Sequence, residues 1–97
     1  MSNINIYYFT ADWCKPCQSI SNSIDILNNK YDTINIYKID IANEENNDIC
    51  EKFNIQKIPS FLFFRKGEYI CRFDGTYIKG IEEIIEELIK DNLIKDN

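Results

Sequence analysis

Two cysteines three positions apart, Cys14 and Cys17, are the residues whose type and spacing most directly predict chemistry. Pro16 stands between them, at the point where a β-branched and aromatic run gives way to a helical pattern. A tight turn there brings the two sulfurs close enough to bond, and the start of a helix favours the negative charge of a thiolate. This stretch therefore predicts a dithiol that can be oxidised and reduced.

The composition is that of one small domain, because 97 residues with 44% hydrophobic side chains can bury a core. The net charge of −5 argues against nucleic acid or an anionic membrane surface as a partner, since each needs a basic face. Residues 1–6 have no signal-peptide pattern, and no stretch approaches the roughly 20 apolar residues of a membrane span. We therefore expect a cytoplasmic monomer with one domain, residues 1–97.

The chain contains four cysteines and no histidine. Two structural disulfides would suit a loop-rich secreted scaffold, whereas a C-x-x-C among strand and helix patterns favours a redox motif in a reducing compartment. A zinc site would require Cys50 and Cys71 to converge on the motif, so we expect no metal. Because Cys50 and Cys71 each lie on an apolar pattern, we expect inert buried thiols, with a regulatory thiol or a dimer disulfide as the alternative.

Hydrophobic periodicity predicts an α/β chain with a four-stranded mixed sheet flanked by three helices. The first two strands should be parallel because a helix connects them, and the last two should form a hairpin. In the last strand, alternation places Tyr69, Cys71 and Phe73 on one side of the sheet. The predicted strands are 4–9, 33–39, 61–64 and 68–74, the predicted helices are 16–30, 44–53 and 77–93, and residues 95–97 form a frayed tail.

Several segments, in the right order along nearly the whole chain, resemble the thioredoxin family. Residues 11–17, Ala-Asp-Trp-Cys-Lys-Pro-Cys, are similar to its active-site motif, and Ile58-Pro59-Ser60 resembles its cis-proline segment. Residues 64–68 resemble its hairpin turn, and Gly75 followed by Lys79-Gly80 resembles its last loop and helix entry. The resemblance implies a thioredoxin-like fold that lacks the usual N-terminal strand and helix.

The resemblance also implies a protein-disulfide reductase. Cys14, exposed at the helix start, would be the nucleophile that attacks a substrate disulfide, and the buried Cys17 would resolve the mixed disulfide. No cofactor would be bound, so thioredoxin reductase or a related external donor would have to return electrons. Disulfide-containing proteins would be the substrates, and their contact surface would consist of Trp13, Ile58, Pro59 in a cis peptide, and Gly75.

Four further residues would support this site. Pro16 lies in the first helical turn, where its missing N–H removes no helical hydrogen bond. Lys15 replaces the glycine common in the family, and its solvated cation should affect the thiolate only slightly. Tyr8 replaces the family's buried aspartate behind the second cysteine, and Lys38 matches the lysine that accompanies that aspartate. Because a phenol is a poor base near neutral pH, we expect slower turnover or a shifted potential without loss of activity.

Other readings of the chain stay open from sequence alone. A glutaredoxin-like, glutathione-dependent reductase is disfavoured by the W-C-K-P-C motif and by a last loop, residues 73–76, that lacks paired glycines. A non-catalytic interaction module that keeps this fold usually loses a cysteine, and both are present. An oxidant or isomerase would differ in reduction potential, which no sequence pattern specifies.

Overall fold

Strands and helices alternate in the first half of the chain, and a β-hairpin followed by a long helix forms the second half. A computed structural model describes residues 4–95, so the predicted frayed tail falls outside the described residues from Asp96 onward. The predicted order of four strands and three helices is confirmed. The elements are β1 (Ile4–Thr10), α1 (Lys15–Lys30), β2 (Ile34–Asp40), α2 (Asn47–Lys52), β3 (Ser60–Arg65), β4 (Glu68–Asp74) and α3 (Ile78–Lys95).

The sheet is mixed, with the strand order β2-β1-β3-β4. β1 and β2 are parallel, as predicted, and pair from Ile4 opposite Ile34 to Thr10 opposite Asp40. β3 is antiparallel to both β1 and β4. The C-terminal end of β1 therefore meets the N-terminal end of β3 at one edge of the sheet. The cysteine motif follows β1 at this edge, and Pro59 directly precedes β3.

One face of the sheet forms the main core with α1 and α3. The side chains of β1 alternate with period two, so that Ile4, Ile6 and Tyr8 point to this face and are almost fully buried. The predicted inward face of α1 is confirmed, because its buried residues recur at helical spacing. The other buried members of this core are Ile20, Ile24, Leu27, Ile34, Phe61, Phe63, Ile81, Ile85 and Leu88.

The opposite face of the sheet is covered more thinly. Residues Glu44–Asn46 form a 3₁₀ turn whose cap is Asn43, and α2 follows as a separate short helix, so the single helix predicted over 44–53 is wrong in its first turn. None of the α2 side chains is buried. Phe53, just after α2, meets Phe64 edge-on with ring centroids 5.8 Å apart, and this contact connects α2 to the sheet.

A β-bulge in β4 overturns the predicted alternation of its side chains. Cys71 pairs with Phe63 and Tyr69 pairs with Phe64, so Ile70 is an extra residue in β4. The extra residue moves Tyr69 to the face of Phe64, where the two ring centroids are 5.7 Å apart. Cys71 packs against the main core on the other face. The expectation that Tyr69 and Cys71 share one side is therefore wrong.

A cluster of polar side chains joins the end of α1 to α3. Lys30 Nζ lies 2.6 Å from Glu82 Oε2, and the Tyr31 hydroxyl donates to the same oxygen at 2.6 Å and to Glu86 Oε2 at 3.1 Å. The hydrogen bond from Lys30, followed by that from Tyr31, lowers the pKa of the Glu82 carboxyl. The ionised form of Glu82 is therefore favoured in the folded chain.

The pH dependence of stability should reveal this cluster. An unfolded glutamate has a pKa of about 4.3, and folding lowers it, so the stabilisation is present above that value and is lost as the pH falls through the lowered pKa. Urea unfolding between about pH 7 and about pH 3 should show a smaller loss of stability for Glu82→Gln than for wild type. Glu83→Gln, at an exposed neighbouring position, should match wild type. Identical profiles for wild type and Glu82→Gln would contradict the prediction.

Candidate functional site

The cysteine pair forms a disulfide in the first turn of α1. Cys14 is the N-cap residue, and its Cα lies 5.3 Å from that of Cys17. The Cys17 N–H donates to Cys14 Sγ at 3.3 Å, so the sulfur accepts one of the unpaired N–H groups of the helix start. Pro16 follows in that turn, where its missing N–H removes no helical bond. After reduction, the same N–H group and the helix dipole would favour a Cys14 thiolate.

Both cysteines are buried in this disulfide form, with Cys14 5% and Cys17 2% exposed. The expectation that Cys14 is exposed is therefore wrong, while the expected burial of Cys17 is met. Trp13, one residue earlier, is 67% exposed and projects from the surface beside the disulfide. The residues that pack around the cysteine pair are Ala11, Ile41 and Ile58.

The segment before β3 forms the wall that faces the disulfide. The Ile58–Pro59 peptide is cis, as the resemblance implies, and the Ile58 carbonyl oxygen lies 3.9 Å from Cys14 Sγ. The Pro59 carbonyl accepts a hydrogen bond of 2.9 Å from the Gly75 N–H. Gly75 has φ +122°, a conformation that favours glycine. The fold thus brings Cys14, Ile58, Pro59 and Gly75 to one edge of the sheet.

Tyr8 supports the cysteine turn from behind. Its side chain is 1% exposed, and its ring stacks on Phe61 with centroids 4.8 Å apart and an interplanar angle of 6°. The hydroxyl donates to the Cys17 carbonyl oxygen at 3.3 Å. The phenol therefore contacts the backbone of the second cysteine and fixes the turn that carries both sulfurs.

A cavity of about 240 Å³ connects Tyr8 with the second cysteine. Lys38 pairs with Tyr8 across β1 and β2, and it lines this cavity beside Cys17. The Lys38 ammonium is largely exposed and lies 3.9 Å from Asp25 of α1. The cavity has a mixed polar and apolar lining and is large enough for several waters, which gives Cys17 a route to solvent. Its remaining lining residues are Thr10, Ala11, Asp12, Gln18 and Ser21.

Two polar residues to which the sequence analysis assigned no role also shape the site. Ser60 is fully buried, and its hydroxyl donates to the Lys57 carbonyl, which fixes the turn that leads into Pro59. Gln18 Nε2 donates to the Asp12 carbonyl and bridges the motif turn to α1. The role of Ser60 follows from its burial directly after Pro59, and burial at this position cannot be read from the sequence. Lys15, at the first position of α1, is exposed.

The other two cysteines are half-buried, so the prediction of buried thiols is only partly correct. Burial raises the pKa of the Cys50 thiol and of the Cys71 thiol, and each is therefore a weaker nucleophile near neutral pH. Among the described residues, no group of three or more Cys, Asp or Glu side chains could hold a metal ion. Within residues 4–95, no helix has the length and apolar character needed to cross a membrane.

A family model for thioredoxin matches residues 2–90, nearly the whole chain. The chain belongs to the thioredoxin family. Among similar sequences are the mitochondrial thioredoxin O2 of Arabidopsis thaliana, 34% identical over 86 residues, and the thioredoxin of Ovis aries, 31% identical over 81 residues. The matches cover 89% and 84% of this chain, and 54% and 75% of the relatives. The chain thus spans only about half the length of the plant thioredoxin.

Solved thioredoxin structures share the fold. The crystal structure of oxidised thioredoxin O2 from Arabidopsis thaliana superposes with a TM-score of 0.80 at 33% identity and covers 90% of this chain and 76% of that one. Thioredoxin from Trypanosoma brucei brucei gives a TM-score of 0.84 at 24% identity, with 92% and 77% covered. The predicted thioredoxin-like architecture, a four-stranded mixed sheet with three helices, is confirmed.

Restoring a carboxylate behind Cys17 should accelerate the step in which Cys17 loses its proton. Tyr8→Asp places a base beside the cavity, and we predict that release of substrate from the mixed disulfide becomes faster by about 10²-fold, the low end for a positioned general base. Rapid-quench analysis of the mixed disulfide measures this step directly.

Tyr8→Asn is the matched control, because it has the same size without the charge. Both variants lose the ring that stacks on Phe61, which should cost each about 3–5 kcal/mol of stability, and the buried charge should add a further cost in Tyr8→Asp. Equal release rates in the two folded variants would count against a missing proton acceptor at position 8.

Proposed function

We propose that this chain reduces disulfide bonds in other proteins through a cycle between the Cys14/Cys17 dithiol and its disulfide. The observation that carries the proposal is the Cys14–Cys17 disulfide at the start of α1, with the Ile58–Pro59 segment facing it. The family assignment supports the same reaction.

In the first step, the Cys14 thiolate attacks one sulfur of the substrate disulfide. A Cys14–substrate bond forms, the substrate S–S bond breaks, and the second substrate sulfur leaves as a thiolate that takes a proton from water. The helix start supports Cys14 as the attacking group, since the Cys17 N–H already points at its sulfur. The exposed Trp13 and the Ile58–Pro59 segment would contact the bound polypeptide.

In the second step, the Cys17 thiol loses its proton and attacks Cys14 Sγ. The Cys14–Cys17 bond forms, the mixed disulfide breaks, and the reduced substrate departs. The cavity beside Tyr8 and Lys38 gives the Cys17 proton a path to solvent, with water as the acceptor. Lys38 would favour the developing thiolate by its positive charge, whereas Tyr8 would hold the turn in place.

The oxidised chain must then be reduced again by an external dithiol. We propose a thioredoxin reductase or a related system as this donor, and a cycle that needs no bound cofactor. Operation as a monomer in the cytoplasm is part of the same proposal, while the mitochondrial relatives make an organelle the alternative compartment. The compartment would have to be reducing, because the substrate disulfides are to be broken.

Insulin reduction with dithiothreitol as donor tests the proposal. We expect wild type to precipitate insulin chains much faster than dithiothreitol alone, and we expect Cys14→Ser to abolish this effect because the nucleophile is lost. Cys17→Ser should instead accumulate a stable mixed disulfide with the substrate, detectable as a mass increase that dithiothreitol removes.

The remaining cysteines supply the control. The double substitution Cys50→Ser and Cys71→Ser should keep wild-type activity, because both thiols lie outside the motif. A parallel assay with glutathione and glutathione reductase as the donor separates a glutaredoxin-like enzyme from the proposed one. Inactivity of wild type with dithiothreitol, or activity only with glutathione, would overturn the proposed function.

A further inference from the structure

Two aromatic side chains stand out as the most exposed large hydrophobic groups among the described residues. Trp13 is 67% exposed and Tyr77 is 61% exposed. Trp13 belongs to the cysteine motif, whereas Tyr77 lies in the short connection between β4 and α3, outside the proposed reaction. A single exposed ring is common on protein surfaces, so the position of Tyr77 relative to the disulfide decides whether it could serve in binding.

Tyr77 lies at the same edge of the sheet as the disulfide. The end of β4 pairs with the start of β3, with Asp74 opposite Ser60. The next residue, Gly75, donates its N–H to the Pro59 carbonyl at 2.9 Å, and Tyr77 follows two positions later. The chain therefore presents Tyr77 next to the segment that would pair with the substrate.

Gly80 forms a seat for the Tyr77 ring. A Cβ atom at position 80 would lie 2.9 Å from Tyr77 Cδ2 and 3.1 Å from Phe73 Cε2, which is too close for any residue larger than glycine without a shift. The Gly80 N–H donates to the Tyr77 carbonyl at 3.0 Å, so the backbone on both sides of the ring is fixed. One edge of the Tyr77 ring therefore packs against Gly80 in the first turn of α3, while most of the side chain stays exposed to solvent.

We propose that Tyr77 is a specificity-determining contact that packs against an apolar or aromatic side chain flanking the reacting cysteine of a protein substrate. This inference rests on the proposed function, since it assigns the recognition of the same site. Ile58 packs against the cysteine pair, and the hydrogen bond from the Gly75 N–H to the Pro59 carbonyl holds the connection that carries Tyr77 next to this segment. A tyrosine side chain has only two rotatable χ angles, so it supplies a large contact area at a low entropic cost on binding.

The experiment compares a protein disulfide with a small one. Insulin and hydroxyethyl disulfide are each reduced with dithiothreitol as donor, and KM and kcat are measured for the Tyr77→Ala variant. We expect the KM for insulin to rise about threefold to tenfold, since loss of one aromatic contact costs about one power of ten or less. The kcat for insulin and the rate with hydroxyethyl disulfide should stay within about twofold, because the small disulfide has no apolar or aromatic side chain to pack against the ring.

Two further variants sharpen the test. Tyr69→Ala removes a tyrosine that is 47% exposed at the opposite end of β4, and it should leave both substrates unaffected. Gly80→Ala keeps the Tyr77 ring but displaces it, and it should raise the insulin KM in the same direction.

The outcomes separate the two proposals. An insulin KM for Tyr77→Ala equal to that of Tyr69→Ala, or an equal loss with both substrates, overturns the contribution of Tyr77 while the reductase activity stands. A wild-type protein that reduces neither substrate overturns the proposed function and this inference with it.

Discussion

The hydrogen bond from the Cys17 N–H to Cys14 Sγ is the interaction on which the rest of the site depends. It makes the first sulfur the cap of α1, so whatever positions the first turn of the helix positions both sulfurs. Tyr8 holds that turn from inside the sheet through the Cys17 carbonyl, and Ile58 closes over Cys14 from the other side. The geometry of the site and the fold are therefore coupled, because a shift of α1 along the sheet would move Cys14 away from Ile58.

The two faces of the sheet make unequal contributions to this arrangement. The face with α1 and α3 carries the continuous core, and the stack of Tyr8 on Phe61 connects that core directly to the cysteine turn. The face with α2 has half-buried aromatic rings, and the bulge at Ile70 adds Tyr69 to them. The site lies at the edge where β1 ends and β3 begins, so the well-packed face supports it and the loops around it stay accessible.

Local patterns explain most of what the sequence could predict. The spacing of Cys14 and Cys17, Pro16 in the first turn and the strand pattern of residues 61–64 are each contained in a few neighbouring residues. Burial of Cys14 could not be predicted in this way, because it depends on Ile41 and Ile58, which come from segments distant in sequence. The bulge in β4 could not be predicted either, because the alternation of side chains around Ile70 is compatible with a regular strand and with a bulged one. The close approach of the Tyr77 ring to Gly80 could not be predicted either, because a glycine in a helical pattern does not show which side chain packs against it.

The reduction potential of the Cys14–Cys17 pair tests most directly whether this site serves as a reductant. Equilibration with a glutathione or dithiothreitol redox buffer, followed by thiol alkylation and mass spectrometry, gives the potential in one titration. We predict a value more negative than about −230 mV, on the side of thioredoxin at about −270 mV. A value near that of protein disulfide isomerase, about −180 mV, or higher would contradict a reductase and indicate an oxidant or isomerase.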